Sequence, residues 1–376
     1  MEVKQIAELL NEIQSESTGL QTIVQEDLSN VVDLGTEVFN ANAVENYVGK
    51  LVDKVGKFIV SNRVYKGELL GVLMDSWEFG SVVEKVTFGL ADAQENESWE
   101  LEDGVSYDQD IFKAPDVSVK YFNGKVTFEV QLSITDVQMK SAFSTSEEMR
   151  KFVEGLYNYI ETSLTSKTEN LIKRTINNMI ANAYINRANY AGAINLLAEY
   201  KTATGDNTLT KAQALYKPEF IRFASYKIKS TLGKLKSLNT LLNVGRTPKF
   251  TPSEDLHLIL HSDFKALADV YLQSETFHEE LTKLPVSESV AYWQGTGTSF
   301  GLADTTKINV KTQEGDVELD YIIGVAFDRD ALGVSNFDRR VPTHRNAKGE
   351  FTNMFYKQDA HYYNDLNENF VVFYLA

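Results

Sequence analysis

Residues 146–184, SEEMRKFVEGLYNYIETSLTSKTENLIKRTINNMIANAY, are the stretch that decides how this chain folds. Apolar residues recur through it at the spacing of one helix face, and no proline occurs between Pro115 and Pro218. At its start, Thr145 and Glu148 have the spacing of a capping box, which satisfies backbone N–H groups at the first turn of a helix. The pattern predicts one helix over residues 146–186, roughly 60 Å long and several times the usual length. Such a helix can support the other elements.

The segment that precedes this helix has the pattern of β-strands. In VSVKYFNGKVTFEVQLSIT, residues 117–135, apolar and polar residues alternate after Asn123 and Gly124. That alternation gives a strand one apolar and one polar face. Because Asn-Gly favours a tight two-residue turn, the sequence predicts a β-hairpin that turns at Asn123 and Gly124. Residues 92–110 carry acids and no Lys or Arg, which predicts an acidic shoulder on this hairpin.

Shorter patterns flank these two elements. Residues 1–60 contain helical spacings interrupted by glycines, so they are poor candidates for a core of their own and resemble an arm that packs on something else. An amphipathic helix with interleaved basic residues follows Pro218, and LHLILH (256–261) reads as a strand followed by a helix. From residue 286 the chain is mostly β, up to the terminal NFVVFYLA. The fold class is therefore α+β.

Composition excludes several classes of protein. The chain has 376 residues, of which 43% are hydrophobic and 24% charged, as expected of a folded protein. Its net charge of −16 argues against specific nucleic-acid binding, which needs a basic surface. It has no cysteine, so disulfides and thiolate metal sites are excluded. We expect no membrane span and no secretory signal, and hence synthesis inside the cell.

Candidate chemical motifs are few. In FDRDALGVSNFDRRVPTH (327–344), Asp328 and Asp330 match the loose Asp-x-Asp pattern by which some glycosyltransferases hold a metal and a nucleotide sugar. A strand-end turn with ion pairs to nearby arginines is the alternative interpretation. His257 and His261 lack the Glu of a zinc helix and fall in a predicted strand, where a structural role is expected. We therefore predict no catalytic residue, no metal ligand and no cofactor.

The order of elements resembles the major capsid protein family of tailed bacteriophages. SWEFGSVVEKVTF (76–88) leads into the candidate extended loop, residues 146–184 look like the spine helix, and VAFDRDALGV with the terminal strands looks like the closing strands. The resemblance implies a tailed-phage capsid fold with these parts: N-terminal arm (1–63), connector (64–85), extended β-hairpin loop (86–143), spine helix and peripheral domain (144–190), axial domain (191–320), and return strands completing the peripheral and axial domains (321–376).

The resemblance also implies a function and partners. The subunit would form hexamers and pentamers in an icosahedral shell assembled in the host cytoplasm and found in the virion. A separate scaffolding protein, a portal and minor capsid proteins would be its partners. Double-stranded DNA would be enclosed without specific binding, and no membrane is involved. The alternatives are a cargo-enclosing compartment shell of the same fold and, from another class, a metal-dependent glycosyltransferase-like enzyme that uses Asp328 and Asp330.

Subunit contacts are expected from two kinds of residue. Acids of the shoulder and distant basic residues have opposite charges, and complementary patches steer association. A hairpin and a glycine-broken arm bury little apolar surface alone, so their aromatic residues are plausible interface anchors. The predicted interface residues are Phe39, Tyr47, Phe58, Glu100, Glu102, Asp103, Tyr121, Phe122, Asn123, Gly124, Arg339, Arg340 and Arg345.

Overall fold

The computed structural model describes residues 3–15, 21–40, 47, 50–51, 69, 72–74, 83–90, 102–105, 112, 114, 116–273, 284–295, 303–305, 307–312 and 315–376. Its α-helices are α1 (Val3–Ser15), α2 (Val31–Asn40), α3 (Asp136–Ala142), α4 (Ser146–Ile185), α5 (Leu196–Thr204), α6 (Lys211–Ala214), α7 (Pro218–Lys236) and α8 (Ser262–Gln273). Its strands are β1 (Leu73–Met74), β2 (Val83–Phe88), β3 (Val117–Phe122), β4 (Lys125–Thr135), β5 (Ala193–Asn195), β6 (Leu256–His261), β7 (Glu288–Val290), β8 (Gln294–Gly295), β9 (Ala303–Thr305), β10 (Ile308–Thr312), β11 (Gly315–Leu319), β12 (Ile322–Asp328), β13 (Leu332–Arg340), β14 (Thr343–Asn346), β15 (Phe351–Asn364) and β16 (Phe370–Tyr374).

The long helix that the sequence predicts is present as α4, 40 residues in one piece. Thr145 caps its start by accepting the backbone N–H of Glu148 at 3.2 Å. The first half of α4 buries apolar residues from Met149 to Leu164 in one core, and the second half buries residues from Leu171 to Ala183 in another. The helix therefore joins two cores that lie at different points along its length.

The predicted hairpin at Asn123 and Gly124 is wrong. β3 pairs with β2, whereas β4 pairs with β15, a strand that lies more than 200 residues later in the chain. Gly124 is not among the residues with positive φ, so the pair does not form the tight turn. A Cβ atom on Gly124 would lie 2.5 Å from the carbonyl oxygen of Tyr362, so this glycine permits the approach of β15. The alternation that the sequence shows in β4 is confirmed, with its apolar residues turned toward the cores.

Strand β15 is the centre of a five-stranded sheet of β1, β4, β13, β14 and β15, which we call the peripheral sheet. Its residues 351–361 pair with β4 on one side, and on the other side it pairs with β13 and then β14. β1 extends the sheet by pairing in parallel with β13. The closing strands of the chain thus complete a sheet that begins just before the long helix.

A second five-stranded sheet, which we call the axial sheet, has the strand order β5-β16-β12-β6-β7. All seven residues of β12 and all five of β16 are buried, as befits central strands covered on both faces. One face packs on the second half of α4, and the other packs on α5, α7 and α8. Residues 321–376 therefore serve both sheets, because β12 and β16 are axial while β13, β14 and β15 are peripheral.

Buried polar contacts fix α4 to the axial sheet. The Asn177 amide donates to the carbonyl of Trp293 at 2.7 Å, and the indole N–H of Trp293 donates to the carbonyl of Ile322 at 2.9 Å. Trp293 is fully enclosed, with 1% of its surface exposed. Because a buried donor without a partner is costly, these two bonds define one position of the sheet on the helix.

The N-terminal arm packs on its own subunit over the described residues. Ile6, Leu10 and Ile13 of α1 and Leu34 and Val38 of α2 are buried in the core that covers the first half of α4. The surface that the arm covers includes α4, α3 and β4 of the same chain, and contact of the arm with a neighbouring subunit stays a prediction.

Two glycine substitutions test how closely the arm packs on the long helix. A Cβ on Gly35 in α2 would lie 2.4 Å from the Cβ of Phe143, whereas a Cβ on Gly155 in α4 would contact nothing within 4 Å. We expect Gly35→Ala to lower the free energy of unfolding by about 1–3 kcal/mol through overpacking. Gly155→Ala should raise it by about 0.5–1 kcal/mol through helix propensity. Urea unfolding of the unassembled subunit measures both, and an equal effect of the two changes would contradict this packing.

The peripheral sheet contains a buried carboxylate whose ionisation supports folding. Burial acts to raise the pKa of Asp359, but Arg340, Thr127 and Lys125 hold it well below its usual range. A lowered pKa stabilises the fold above the unfolded value of about 3.9, and this contribution is lost as pH falls further. We expect Asp359→Asn to cost about 3–5 kcal/mol at pH 7 and to flatten the loss of stability below about pH 4. Chemical unfolding from pH 3 to 7, with exposed Asp103→Asn as control, measures this dependence.

Candidate assembly surface

Strands β2 and β3 form a ribbon that pairs with no other described strand. The register places Glu84 opposite Tyr121, Val86 opposite Val119, and Phe88 opposite Val117. Residues directly opposite each other in an antiparallel pair point to the same face. The remaining pairs, Val83 with Phe122, Lys85 with Lys120 and Thr87 with Ser118, point to the other face. The ribbon is therefore two-sided, and we call these sides the apolar face and the lysine face.

The apolar face is exposed to solvent. Phe88 has 68% and Tyr121 has 66% of its surface exposed, and the three valines of this face are also exposed. The Tyr121 hydroxyl lies 3.4 Å from a carboxylate oxygen of Glu84 at one end of the face. Large apolar side chains that are grouped and exposed mark contact sites more often than solvated surface. The valines and Phe88 were missed by the sequence interpretation, although VEKVTF (83–88) alternates in a way that indicates them.

The lysine face lies against the ribbon's own subunit. Lys120 Nζ lies 2.7 Å from a carboxylate oxygen of Asp365, and Lys85 Nζ lies 2.7 Å from one of Glu368. The ring of Phe122 contacts that of Tyr363, with centroids 5.1 Å apart. One of the two predicted aromatic anchors on this ribbon, Phe122, thus faces inward, and the other, Tyr121, faces outward.

The structure corrects one predicted anchor in the arm. Tyr47 has no exposed surface and its ring lies 5.7 Å from that of Phe143, so it is a core residue and not a surface anchor. Burial raises the pKa of its hydroxyl. Phe39 is only partly buried and packs edge-on against Phe143, with Lys140 over its ring. Phe58 lies outside the described residues.

Two of the three arginines predicted to face the acidic shoulder, Arg340 and Arg345, form ion pairs within the subunit. Arg340 donates two hydrogen bonds to Asp359, and Arg345 donates two to Asp136, with distances of 2.8–3.4 Å. An arginine with such bidentate contacts has fewer N–H donors left for the carboxylates of a neighbouring subunit. Arg339 lies on β13 opposite Gln358. Among the acids, Glu102 and Asp103 are exposed in a turn, and Glu100 lies outside the described residues.

The basic helix α7 carries exposed cationic side chains. Arg222, Lys234 and Lys236 are exposed on this helix, whereas Lys227 forms an ion pair with Glu199 at 2.7 Å. A cavity of about 390 Å³ lies between α7 and β6, with Lys229, Lys236 and three leucines in its lining. This lining contains no carboxylate, histidine or tyrosine, and its ionisable side chains are the two lysines.

Asp328 and Asp330 form a strand-end turn. The Asp328 carboxylate accepts the backbone N–H of Asp330 at 2.9 Å and caps a 3₁₀ turn at Arg329–Ala331. Burial raises the pKa of Asp328 above its usual value. The described residues contain no group of three or more metal-ligating side chains that could hold an ion. The arrangement matches the interpretation as a turn, in which Asp328, not Asp330, is the cap.

The two histidines of β6 also have structural surroundings. The His257 ring stacks on Phe327 of the neighbouring strand at 5.6 Å, and burial lowers the pKa of both His257 and His261. Neutral rings packed in a sheet agree with the expected structural role. In the part of the chain that the structure describes, no helix is both long and apolar enough to cross a membrane.

Two of the solved structures that resemble this chain are phage capsids. The capsid structure of Staphylococcus phage Andhra aligns with a TM-score of 0.52 and 9% identity, over 84% of this chain and 86% of that one. The capsid structure of cyanophage P-SCSP1u aligns with a TM-score of 0.44 and 11% identity, over 84% and 90%. At such low identity, the similarity to the Andhra capsid shows the fold alone. A search of curated protein sequences finds no significant match.

The decisive match comes from a protein family. The model of the Phi29-like phage major capsid protein family matches residues 6–374, which is almost the whole sequence. The tailed-phage capsid fold expected from the order of elements is thereby confirmed. The expectation that the protein is a structural subunit of a phage head is confirmed as well. This chain belongs to the Phi29-like phage major capsid protein family and forms the shell of a phage head.

Proposed function

We propose that the β2–β3 ribbon is the element by which one subunit grips the next in the head shell. The observation that supports this proposal is its two-sided character. Two lysines hold one face to the subunit, and the opposite face presents Val86, Phe88 and Tyr121 to solvent. An isolated two-stranded ribbon is marginally stable in water, so a covering partner is needed for its exposed apolar face.

The partner that covers this face is a second copy of the chain. Shell subunits repeat by symmetry, so one patch recurs at every interface and many modest contacts add up to a stable particle. Full burial of a single Val or Phe side chain contributes about 1.5–3 kcal/mol. Because the chain has no cysteine, disulfides do not join one subunit to the next, and apolar contacts of this kind stabilise the shell.

The wider assembly that we propose contains hexamers and pentamers built in the host cytoplasm. A separate scaffolding protein, a portal and minor capsid proteins complete it. Double-stranded DNA is enclosed without specific binding, in keeping with the net charge of −16. We propose the same domain limits as in the sequence analysis, with one change in the hairpin loop. The ribbon is formed by residues 83–88 and 117–122, and residues 125–135 belong to the peripheral sheet.

We also propose that the protein has no catalytic activity. A glycosyltransferase-like site needs Asp328 and Asp330 to present carboxylates to a metal. Here Asp328 is buried and bonded to backbone, and its side chain also contacts Thr251. A carboxylate with these partners stabilises the turn that links β12 and β13.

The apolar face provides the first test of assembly. We expect Phe88→Ser combined with Tyr121→Ser to leave subunit stability within about 0.5 kcal/mol, since both side chains are exposed. Shell yield should fall at least about tenfold because the contacts with a neighbour are lost. Negative-stain electron microscopy and sedimentation of the co-expressed capsid and scaffolding proteins measure the yield. The matched control is Tyr216→Ser, which removes an aromatic ring that is 73% exposed but lies off the ribbon. Normal shells from the double variant would refute the proposed grip.

Charge complementarity gives a second test. Changing Glu100, Glu102 and Asp103 to Lys should impair assembly and leave the subunit folded, if the shoulder docks on a basic surface of a neighbour. Because Arg340 and Arg345 are paired internally, the exposed end of α7 is the expected counterpart. Adding Lys234→Glu and Lys236→Glu should therefore restore part of the yield. Unimpaired assembly of the first variant, seen by sedimentation, would contradict the docking.

A further inference from the structure

Five charged side chains from three separate segments meet where the ribbon joins the subunit. Two belong to the ribbon, two belong to the turn between β15 and β16, and one belongs to the loop between α7 and β6, which we call the axial loop. We call this group the lysine–carboxylate cluster, and its members are Lys85, Lys120, Asp365, Glu368 and Lys249.

The contacts of the cluster are short and shared. Lys120 Nζ lies 2.7 Å from Asp365 Oδ1, and Lys85 Nζ lies 3.2 Å from Asp365 Oδ2. Lys85 and Lys249 both approach the same oxygen, Oε1 of Glu368, at 2.7 Å. Lys85 Nζ also reaches the carbonyl of Asp330 at 3.3 Å. Glu368 thus receives one ammonium from the ribbon and one from the axial domain.

The carboxylates of the cluster are enclosed. The Asp365 side chain is 2% exposed and that of Glu368 is 7% exposed. Buried carboxylates need partners, because an unpaired charge in the interior is strongly unfavourable. Burial acts to raise the pKa of Asp365, but Lys120, the Asn367 N–H and Lys85 hold it below its usual value. The acids next to the cluster are Asp328 and Asp330.

The ribbon depends on these contacts for its direction. β2 and β3 pair with each other and with no other described strand, so no sheet ladder fixes the ribbon on the subunit. The described contacts at its base are the cluster, the ring contact of Phe122 with Tyr363, and one backbone bond beyond the end of β3, from the Tyr362 N–H to the Gly124 carbonyl at 3.1 Å. Side-chain contacts constrain an angle less rigidly than a backbone ladder, so the base of the ribbon is a joint.

We propose that Lys85 and Lys120 are positioning residues that set the angle at which the ribbon leaves the subunit, and that Glu368 couples this angle to the axial loop through Lys249. The proposal rests on the ribbon's proposed role in gripping a neighbour. A change in the position of the axial loop moves Lys249, the shared carboxylate and then the ribbon. The joint lies between the two sheets, at the turn where the chain passes from β15 to β16.

Hydrogen exchange of the unassembled subunit tests the positioning role. Lys120→Met removes one charge-assisted bond to Asp365 while Lys85 stays in place. We expect the amides of residues 83–88 and 117–122 to exchange about tenfold faster or more, with β16 unchanged. Lys120→Arg keeps the charge and should stay within about twofold of the wild type. Unchanged ribbon exchange in Lys120→Met would overturn the proposal.

A matched control separates this effect from general loss of a buried ion pair. Asp359 is also an enclosed carboxylate with two cationic partners, Lys125 and Arg340, but it lies in the peripheral sheet. Asp359→Asn should speed exchange in β4 and β15 and leave the ribbon unchanged. If it accelerates the ribbon as strongly as Lys120→Met does, the cluster has no special role in positioning.

A double-mutant cycle tests the coupling through Glu368. Ribbon exchange is measured in Lys85→Met, Lys249→Met and the double variant. Residues that share one partner give non-additive effects, so the double variant should differ from the product of the singles by about twofold or more. Additive effects would overturn the coupling. The exchange experiments use the unassembled subunit and need no assembled particles. If the apolar-face test failed, it would refute the proposed grip, but the exchange data would still show whether the cluster positions the ribbon.

Discussion

The burial of one 40-residue helix on two separate cores is the constraint on which the rest of the subunit depends. A helix of roughly 60 Å is longer than the core of a small domain, so one set of partners does not cover it. In α4 the first half is covered by the arm, α3, β4 and part of β15, and the second half is covered mainly by the axial sheet. Asn177 and Trp293 then fix the sheet at one place along the helix.

The path of the chain follows from this arrangement. Strands that complete the two sheets must be delivered to both regions of α4, so residues 321–376 pass from the axial sheet to the peripheral sheet and back. The last crossing is the turn after β15, which holds Asp365 and Glu368. Buried carboxylates at a crossing of this kind can bind cations from several segments at once. That explains why the ribbon, the axial loop and the return turn meet at one cluster.

The function of a shell subunit also appears in what the fold leaves uncovered. The arm, which could have been exposed, packs on its own α4 over the described residues. The ribbon instead keeps Phe88, Tyr121 and three valines in solvent. A monomeric protein gains nothing from this exposure, whereas a repeated subunit gains an interface at every copy.

The sequence by itself determined the elements whose side-chain periodicity is local. The long helix, its Thr145 cap, the strand–helix pair at 256–273 and the alternation of β4 were all legible, because helix and strand periodicities depend on near neighbours. The order of these elements was enough to indicate the capsid family. The sequence showed where acidic and basic residues are concentrated, but not which of them form ion pairs.

Only the tertiary structure decided which strands and charges meet. Asn123 and Gly124 favour a local hairpin, yet β15 offers β4 eleven opposing residues and a shared core, and this long-range pairing prevails over the turn. Arg340 pairs with Asp359, Arg345 with Asp136, and Tyr47 is enclosed, although nothing in the local pattern distinguishes them from surface residues. The two faces of the ribbon likewise depend on the register of β2 with β3. Register and ion pairing join residues far apart in the chain, so the folded core, and not local spacing, selects them.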